Sequence, residues 1–333
     1  MAVLAGGLAL LAGSLAAAPP SASGEPRDDF SLTRYYDLNT INALLDHLVE
    51  IHPGTVLLQV YGRSFEGRPL QALSVTERHP GDRAKPGLLV VCGQSARAWI
   101  SPMACLGLAS AIPSDPAWAA LLKRFRVDIV PMANPDGFVY SWTTNRLWRK
   151  TRTDNNDLLC PGVDPNRNWD SGFGGAGSSA DKCSEIYHGT APFSISETRS
   201  LKNYVLHHHY VAALDVDAYG QQILLPAATS QIASPVPHFQ RMLTRATRMA
   251  TAMHAVHGTA FAAGNYNELL YEAGGTLMDW LHFTADVPNA YTVNLRDAGD
   301  FGFILPADQI QPSVEEFNAG VASLMNDIAT DKP

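Results

Sequence analysis

The stretch Leu88-Leu89-Val90-Val91-Cys92-Gly93-Gln94-Ser95-Ala96-Arg97-Ala98-Trp99-Ile100-Ser101-Pro102 reads as a strand, a turn and the start of a helix. Leu88 to Cys92 is a continuous apolar run, the pattern of a central strand covered on both faces. Helical spacing runs from Trp99 to Ile112. Upstream, Asp37 to Ile51 has helical spacing and stops at Pro53-Gly54. Val56–Val60 and Leu70–Val75 flank the turn-like Ser64-Phe65-Glu66-Gly67-Arg68 and predict a strand pair.

Downstream, Ala117 to Phe125 predicts a helix and Val127–Pro131 a buried strand. From Asn134 to Thr190 the chain is rich in Asn, Asp, Gly and Arg and reads as a long loop. Such a stretch inside a compact domain is usually functional. Helix returns at Ser194–His209, Pro237–His257 and Pro306–Ile328, strand at Val211–Val216, Ile223–Leu225 and Ala290–Leu295. Alternating strands and helices predict a three-layer α/β/α sandwich with a mixed, mostly parallel central sheet. Ligands bind such sheets at the carboxyl ends of the strands.

The chain has 333 residues, 46% of them hydrophobic, which is ample for a sizeable core. A net charge of -8 argues against nucleic acid or an anionic membrane surface as the main partner. Met1 to Ala18 carries no charge and is followed by Pro19, Pro20 and small residues. It reads as a secretory signal peptide over residues 1–23, or as a signal anchor. The expectation is a secreted, monomeric protein with a single domain over residues 24–333 and no pro-domain. Cys160 and Cys183 flank a Gly/Ser-rich loop and are expected to form a disulfide in an oxidising compartment. Cys92 and Cys105 read as buried thiols.

Several segments together resemble the zinc carboxypeptidases of the A and B type, from about Tyr35 to Ile328. They are the Cys92–Pro102 turn, Gly62-Arg63-Ser64-Phe65-Glu66-Gly67-Arg68-Pro69, Asn134-Pro135-Asp136-Gly137-Phe138 and Asn145-Arg146-Leu147-Trp148-Arg149-Lys150. Gly162-Val163-Asp164-Pro165-Asn166-Arg167-Asn168-Trp169, Tyr187-His188-Gly189 and Leu295-Arg296-Asp297 through Gly302-Phe303 complete the set.

The resemblance implies where a metal site would lie. The family's His and Glu ligands fall on Ser95 and Ala98, its third ligand on Asp217 and its general base on Asn294. A catalytic zinc needs three ligands from His, Cys, Asp or Glu and an open position for water. Only Asp217 qualifies, and Asn294 cannot accept a proton as a base. No cofactor is therefore expected. Asp217 and Asn294 read as polar fillers of the cavity, with Asn294 donating to Asp217.

The resemblance also implies a substrate side that persists. Asn166 and Arg167 match the family's grip on a terminal carboxylate, with Arg97, Arg149 and Arg146 nearby. Tyr271 matches a mobile tyrosine, Phe303 an aromatic wall and Met278 the base of the specificity pocket. Guanidinium groups meet carboxylates in a two-pronged geometry, the chemistry a free C-terminus requires. The expected function is a pseudoenzyme that holds peptide or protein C-termini with apolar or aromatic terminal residues. The alternatives are an active carboxypeptidase with a non-standard metal site, and a non-catalytic scaffold for protein contact. His47 with Glu50, His254 with His257, and His207–His209 read as polar helix faces or ends, and His188 as structural.

Overall fold

The computed structural model describes residues 30–77, 85–232 and 236–331. The expected signal peptide over residues 1–23, and the start of the domain drawn from residue 24, lie outside them. From Ser31 onward the described residues cluster as one compact unit. Helix α1 (Leu38–Ile51) starts at Asp37, whose carboxylate accepts from Thr40 N–H. It buries Leu38, Ile41, Leu45 and Leu48, the three-and-four spacing of a one-sided helix. Strands β1 (Val56–Arg63) and β2 (Pro69–Val75) pair antiparallel across the turn expected between them.

Strand β3 (Gly87–Cys92) is buried at every position. Helices α2 (Ile100–Ala111) and α3 (Pro116–Arg124) follow, then β4 (Arg126–Val130) and α4 (Pro135–Thr143). Helix α5 (Ser196–Leu206), strand β5 (Tyr210–Asp217), strand β6 (Gln222–Leu225) and helix α6 (Phe239–His257) come next. The chain ends with β7 (Ala262–Asn265), α7 (Tyr266–Leu269), α8 (Leu277–Phe283), β8 (Ala290–Asn294) and α9 (Ile310–Thr330).

Among the described residues the strands form one sheet in the order β1-β2-β4-β3-β5-β8-β6-β7. The centre, β4-β3-β5-β8, is parallel throughout. Antiparallel joins occur at β1–β2, β2–β4 and β6–β8. On one face, residues of α5 and α8 pack with Leu89, Val91 and Ala213 in a single core. Side chains alternate along a strand, so Leu88, Val90 and Cys92 point to the other face, where α2 lies. The three-layer expectation holds, with a parallel centre and mixed flanks.

Two expectations need correction. Asn134–Thr190 is not loop throughout, because α4 forms at its start. Asn134 caps that helix by accepting from Gly137 N–H, and Pro135 occupies the first helical position. Proline there lacks an N–H that would be unpaired anyway, so Asn-Pro opens a helix as readily as a turn. Cys92 and Cys105 are not thiols: they form a disulfide with Cα atoms 6.3 Å apart. Both are fully buried as expected. The bond arises because Cys92 ends β3 on the face against which α2 packs. Cys160 and Cys183 are joined as expected. Among the described residues no single helix is long and apolar enough to cross a membrane.

Candidate active site

At the carboxyl ends of β3, β5 and β8 the chain surrounds a cavity of about 250 Å3. Parallel pairing sets its floor. Cys92 pairs with Val216, and Asp217 with Asn294, so the three strands end at the same level. Ser95 enters from the turn after β3, and Asn166 and Arg167 from a short 3-10 turn (Pro165–Arg167). Tyr266, Leu270 and Tyr271 enter from α7 and the segment after it, and Phe303 from beyond β8.

The floor holds a polar network that sequence reasoning missed. Asp215 and Asp217 lie two apart on β5 and therefore on one face. Asp215 is fully buried and accepts from Gln94 Nε2 at 2.7 Å and Asn166 Nδ2 at 3.0 Å. Asn166 in turn accepts from Leu277 N–H at 2.8 Å, so both ends of its amide are fixed. Burial and the neighbouring Asp217 charge push Asp215 up to about 7, against the pull of its amide donors. Burial pushes Asp217 up to about 6, opposed by the Ala218 N–H and by Arg149 and Arg97. A charged residue inside an otherwise apolar strand is the signal that could have marked Asp215.

Asn294 lies beside Asp217 as expected but does not donate to it. Its Nδ2 faces Gln222 Oε1 at 3.3 Å, because the antiparallel β6 places Gln222 directly opposite. Asp217 accepts only from the N–H of Ala218, at 2.9 Å, among the described residues.

The arginines fall into two groups. Arg97, Arg149 and Arg167 line the cavity. Arg167 is fixed by Nε donating to Gly177 O at 2.7 Å and Nη1 donating to Asn166 O at 2.6 Å. Arg149 meets Asp164 at 2.8 Å, and Arg97 meets Glu185 at 3.6 Å and stacks over Phe303 at 4.2 Å. Burial opposes the Arg149 charge, but Asp164, Tyr271 and Asp217 outweigh it and hold its pKa above the ordinary value. For Arg97, burial and the Arg149 charge win, and its pKa is lowered. Among the described residues, the buried donors Arg167 Nη2, Arg149 Nε and Arg97 Nε have no hydrogen-bond partner. Three guanidinium groups around one cavity favour an oxygen-bearing anion in it.

Arg146 is not in this group. Its guanidinium donates to Arg97 O at 2.7 Å and Phe303 O at 2.6 Å and stacks on Trp99 at 3.7 Å. It braces two cavity-lining segments instead of facing a ligand. Met278 also does not line the cavity. It is fully buried in the core under α8, because Thr276 caps the helix and turns that position inward. The apolar wall is instead Leu270, Tyr266, Tyr271, Tyr219 and Phe303. Gly275 secures the packing beneath Arg167: its φ is +80°, and an added Cβ would lie 2.3 Å from Arg167 O.

The residues present do not fit a zinc ion. Ser95 is a weak neutral donor, Ala98 has no donor atom, and Asp217 alone remains. Among the described residues no group of three His, Cys, Asp or Glu side chains converges to hold a metal. The histidine pairs noted in the sequence lie elsewhere, His47 at 4.0 Å from Glu50 and His257 at 2.6 Å from Glu315.

The family model for zinc carboxypeptidases matches residues 41–320. Carboxypeptidase A2 of Mus musculus is 36% identical over 305 residues, covering 90% of this chain and 72% of that protein. Bovine thrombin-activatable fibrinolysis inhibitor, solved with a tick carboxypeptidase inhibitor, superposes with a TM-score of 0.82 at 30% identity. That match covers 90% of this chain and 98% of that one. Carboxypeptidase A from Helicoverpa armigera gives a TM-score of 0.84 at 27% identity, covering 94% and 78%. Joined to the shared motifs, these matches show that the chain belongs to the zinc carboxypeptidase family.

Proposed function

We propose that this protein is a non-hydrolytic carboxypeptidase that binds peptide or protein C-termini. The observation that carries the reading is the convergence of Arg167, Arg149, Arg97 and Asn166 on one cavity. A terminal carboxylate supplies acceptors to guanidinium donors in charge-assisted bonds. Asn166 keeps one amide hydrogen for the same carboxylate, since its Nδ2 has two and Asp215 takes one. The wall of Leu270, Tyr266 and Phe303 favours an apolar or aromatic terminal side chain. Hydrolysis lacks support on the same floor. Without zinc, water keeps its bulk pKa and the scissile carbonyl is not polarised. Asn294 has no basic oxygen to replace that activation.

The test is calorimetric titration with an N-blocked peptide ending in phenylalanine. Arg167→Ala is expected to weaken binding at least about tenfold, the value of one charge-assisted hydrogen bond. Unchanged affinity would remove the reading. Metal content by elemental mass spectrometry, on tag-free protein dialysed against trace zinc, checks the non-hydrolytic half. Zinc well below one per chain is expected, and about one tightly held zinc per chain would overturn it. His207–His209 must be controlled for, since exposed histidines collect metal during purification.

We also infer that the protein is secreted and monomeric. The disulfides Cys92–Cys105 and Cys160–Cys183 suit an oxidising compartment, and the apolar N-terminal sequence suits export. Recovery of processed chain from culture medium is expected. Retention of the intact sequence in cells would contradict it.

A further inference from the structure

The cavity is not uniformly cationic. Asp217 lines it together with Arg97, Arg149 and Arg167, on the same strand as the Asp215 that orients Asn166. Its carboxylate has two oxygens and up to four acceptor positions. Among the described residues it takes one backbone hydrogen bond and lies within ion-pairing distance of no side-chain cation. The nearby arginines are engaged elsewhere: Arg149 with Asp164, Arg97 with Glu185 and Phe303, Arg167 with two backbone carbonyls. A carboxylate left without a paired cation, in the same cavity as an Arg167 bonded to carbonyls and, among the described residues, to no carboxylate, is complementary to a molecule carrying both charges close together.

We infer that the preferred ligand of this cavity is a free α-amino acid, its carboxylate on Arg167 and Asn166 and its ammonium on Asp217. The inference rests on the C-terminus reading above and sharpens it. An internal peptide nitrogen is neutral and has one hydrogen, so it leaves Asp217 uncompensated. A free amino acid presents an ammonium with three donors, attached to the carbon that bears the carboxylate. The cavity size agrees. At about 250 Å3 it falls below the roughly 300–1,000 Å3 of pockets for drug-sized ligands. One residue fills it, and Leu270, Tyr266 and Phe303 select an apolar or aromatic side chain. No bond is made or broken, so the role is reversible capture of a released amino acid.

The experiment is calorimetric titration of the full chain with L-phenylalanine, N-acetyl-L-phenylalanine, an N-blocked dipeptide ending in phenylalanine, and phenethylamine. L-phenylalanine is expected to bind at least about tenfold tighter than N-acetyl-L-phenylalanine, one charge-assisted bond's worth. Phenethylamine, which lacks the carboxylate, is expected to bind more weakly than L-phenylalanine. Acetylation alters the ligand alone, so this comparison does not depend on a variant that folds. Asp217→Asn, with its fold checked by circular dichroism, is expected to shrink the preference to less than about threefold by removing the ion pair. If the blocked dipeptide binds as tightly as L-phenylalanine or tighter, the amino-acid inference is overturned and the C-terminus reading stands. Absence of binding by all carboxylate ligands overturns both. A preference for the free amino acid that persists in Asp217→Asn overturns the assignment of Asp217.

Discussion

Asp215 shows how a single residue positions the others without lining the cavity. It holds Gln94 on the turn after β3 and Asn166 on the neighbouring loop, and Asn166 in turn receives α8 through Leu277 N–H. Charge at this depth is unfavourable unless compensated. The pKa of about 7 against an ordinary 3.8 expresses that imbalance. The sign follows from linkage. The folded state holds the proton more tightly than the unfolded chain, so stability from this group is full below the unfolded pKa. It is lost as pH rises through the folded pKa. The loss is on the order of 2–4 kcal/mol between about pH 4 and about pH 8. Urea unfolding across that range is expected to show a smaller loss for Asp215→Asn than for the parent. Equal losses would mean that Asp215 is not the group that titrates. The corresponding residue-scale prediction for ligand binding is the tenfold weakening by Arg167→Ala, since Arg167 lines the cavity and, among the described residues, pairs with no carboxylate.

At the scale of elements, the disulfide between Cys92 and Cys105 fixes α2 to the end of β3. It spans the turn that carries Ser95, Arg97 and Ala98, closing a loop with a sequence separation of 13. Loop closure of that size stabilises a fold by about 3 kcal/mol, mainly by restricting the unfolded chain. The double variant Cys92→Ala/Cys105→Ala is expected to lose about 2–4 kcal/mol in denaturant titration, including a small contribution from lost buried volume. A change near zero would mean that packing of β3 against α2 suffices to close the turn. The sequence showed both cysteines as buried but not their pairing. Apolar pattern reports depth, whereas pairing depends on where the helix is set against the strand. The same distinction explains which elements were legible. β3 is an apolar run buried throughout, and β4, β5 and β8 are mostly apolar and buried throughout or nearly so, and could be read directly. β7 reads Ala-Ala-Gly-Asn and exists because β6 offers an edge to pair with, which no local pattern shows.

Across the whole molecule, the family's frame is kept while the positions that match its metal ligands and general base carry Ser95, Ala98, Asp217 and Asn294. The motifs named the fold and the positions of Arg97, Arg149, Asn166, Arg167, Tyr271 and Phe303 at one cavity. They did not show that Arg146 is a brace or that Met278 is core, because a motif aligns positions and not side-chain directions. Nor did they show Asp215, which lies in none of the quoted segments, or the bond that Gln94 makes to it. Superposition with TM-scores of 0.82 and 0.84 on solved relatives implies that backbone placement survives the loss of ligands. The variant Ser95→His/Ala98→Glu/Asp217→His/Asn294→Glu is therefore expected to bind about one zinc per chain, with affinity rising steeply because a complete site is worth on the order of 10 kcal/mol. Ser95 and Ala98 already lie in one closed turn, with Ala98 N–H donating to Ser95 O at 3.1 Å, and Asp217 ends the strand beside it. Asp215 does not stand in the way. Two buried carboxylates stand next to each other in the parent, and replacing Asp217 by histidine leaves Asp215 as a buried anion beside a divalent cation, which favours binding. Elemental analysis of a folded variant decides the matter. Stoichiometric zinc would place the whole difference from the catalytic relatives in four side chains. A folded variant that holds none would place it in the turn and strand ends themselves, where sub-ångström shifts of the backbone are enough to undo a tetrahedral site.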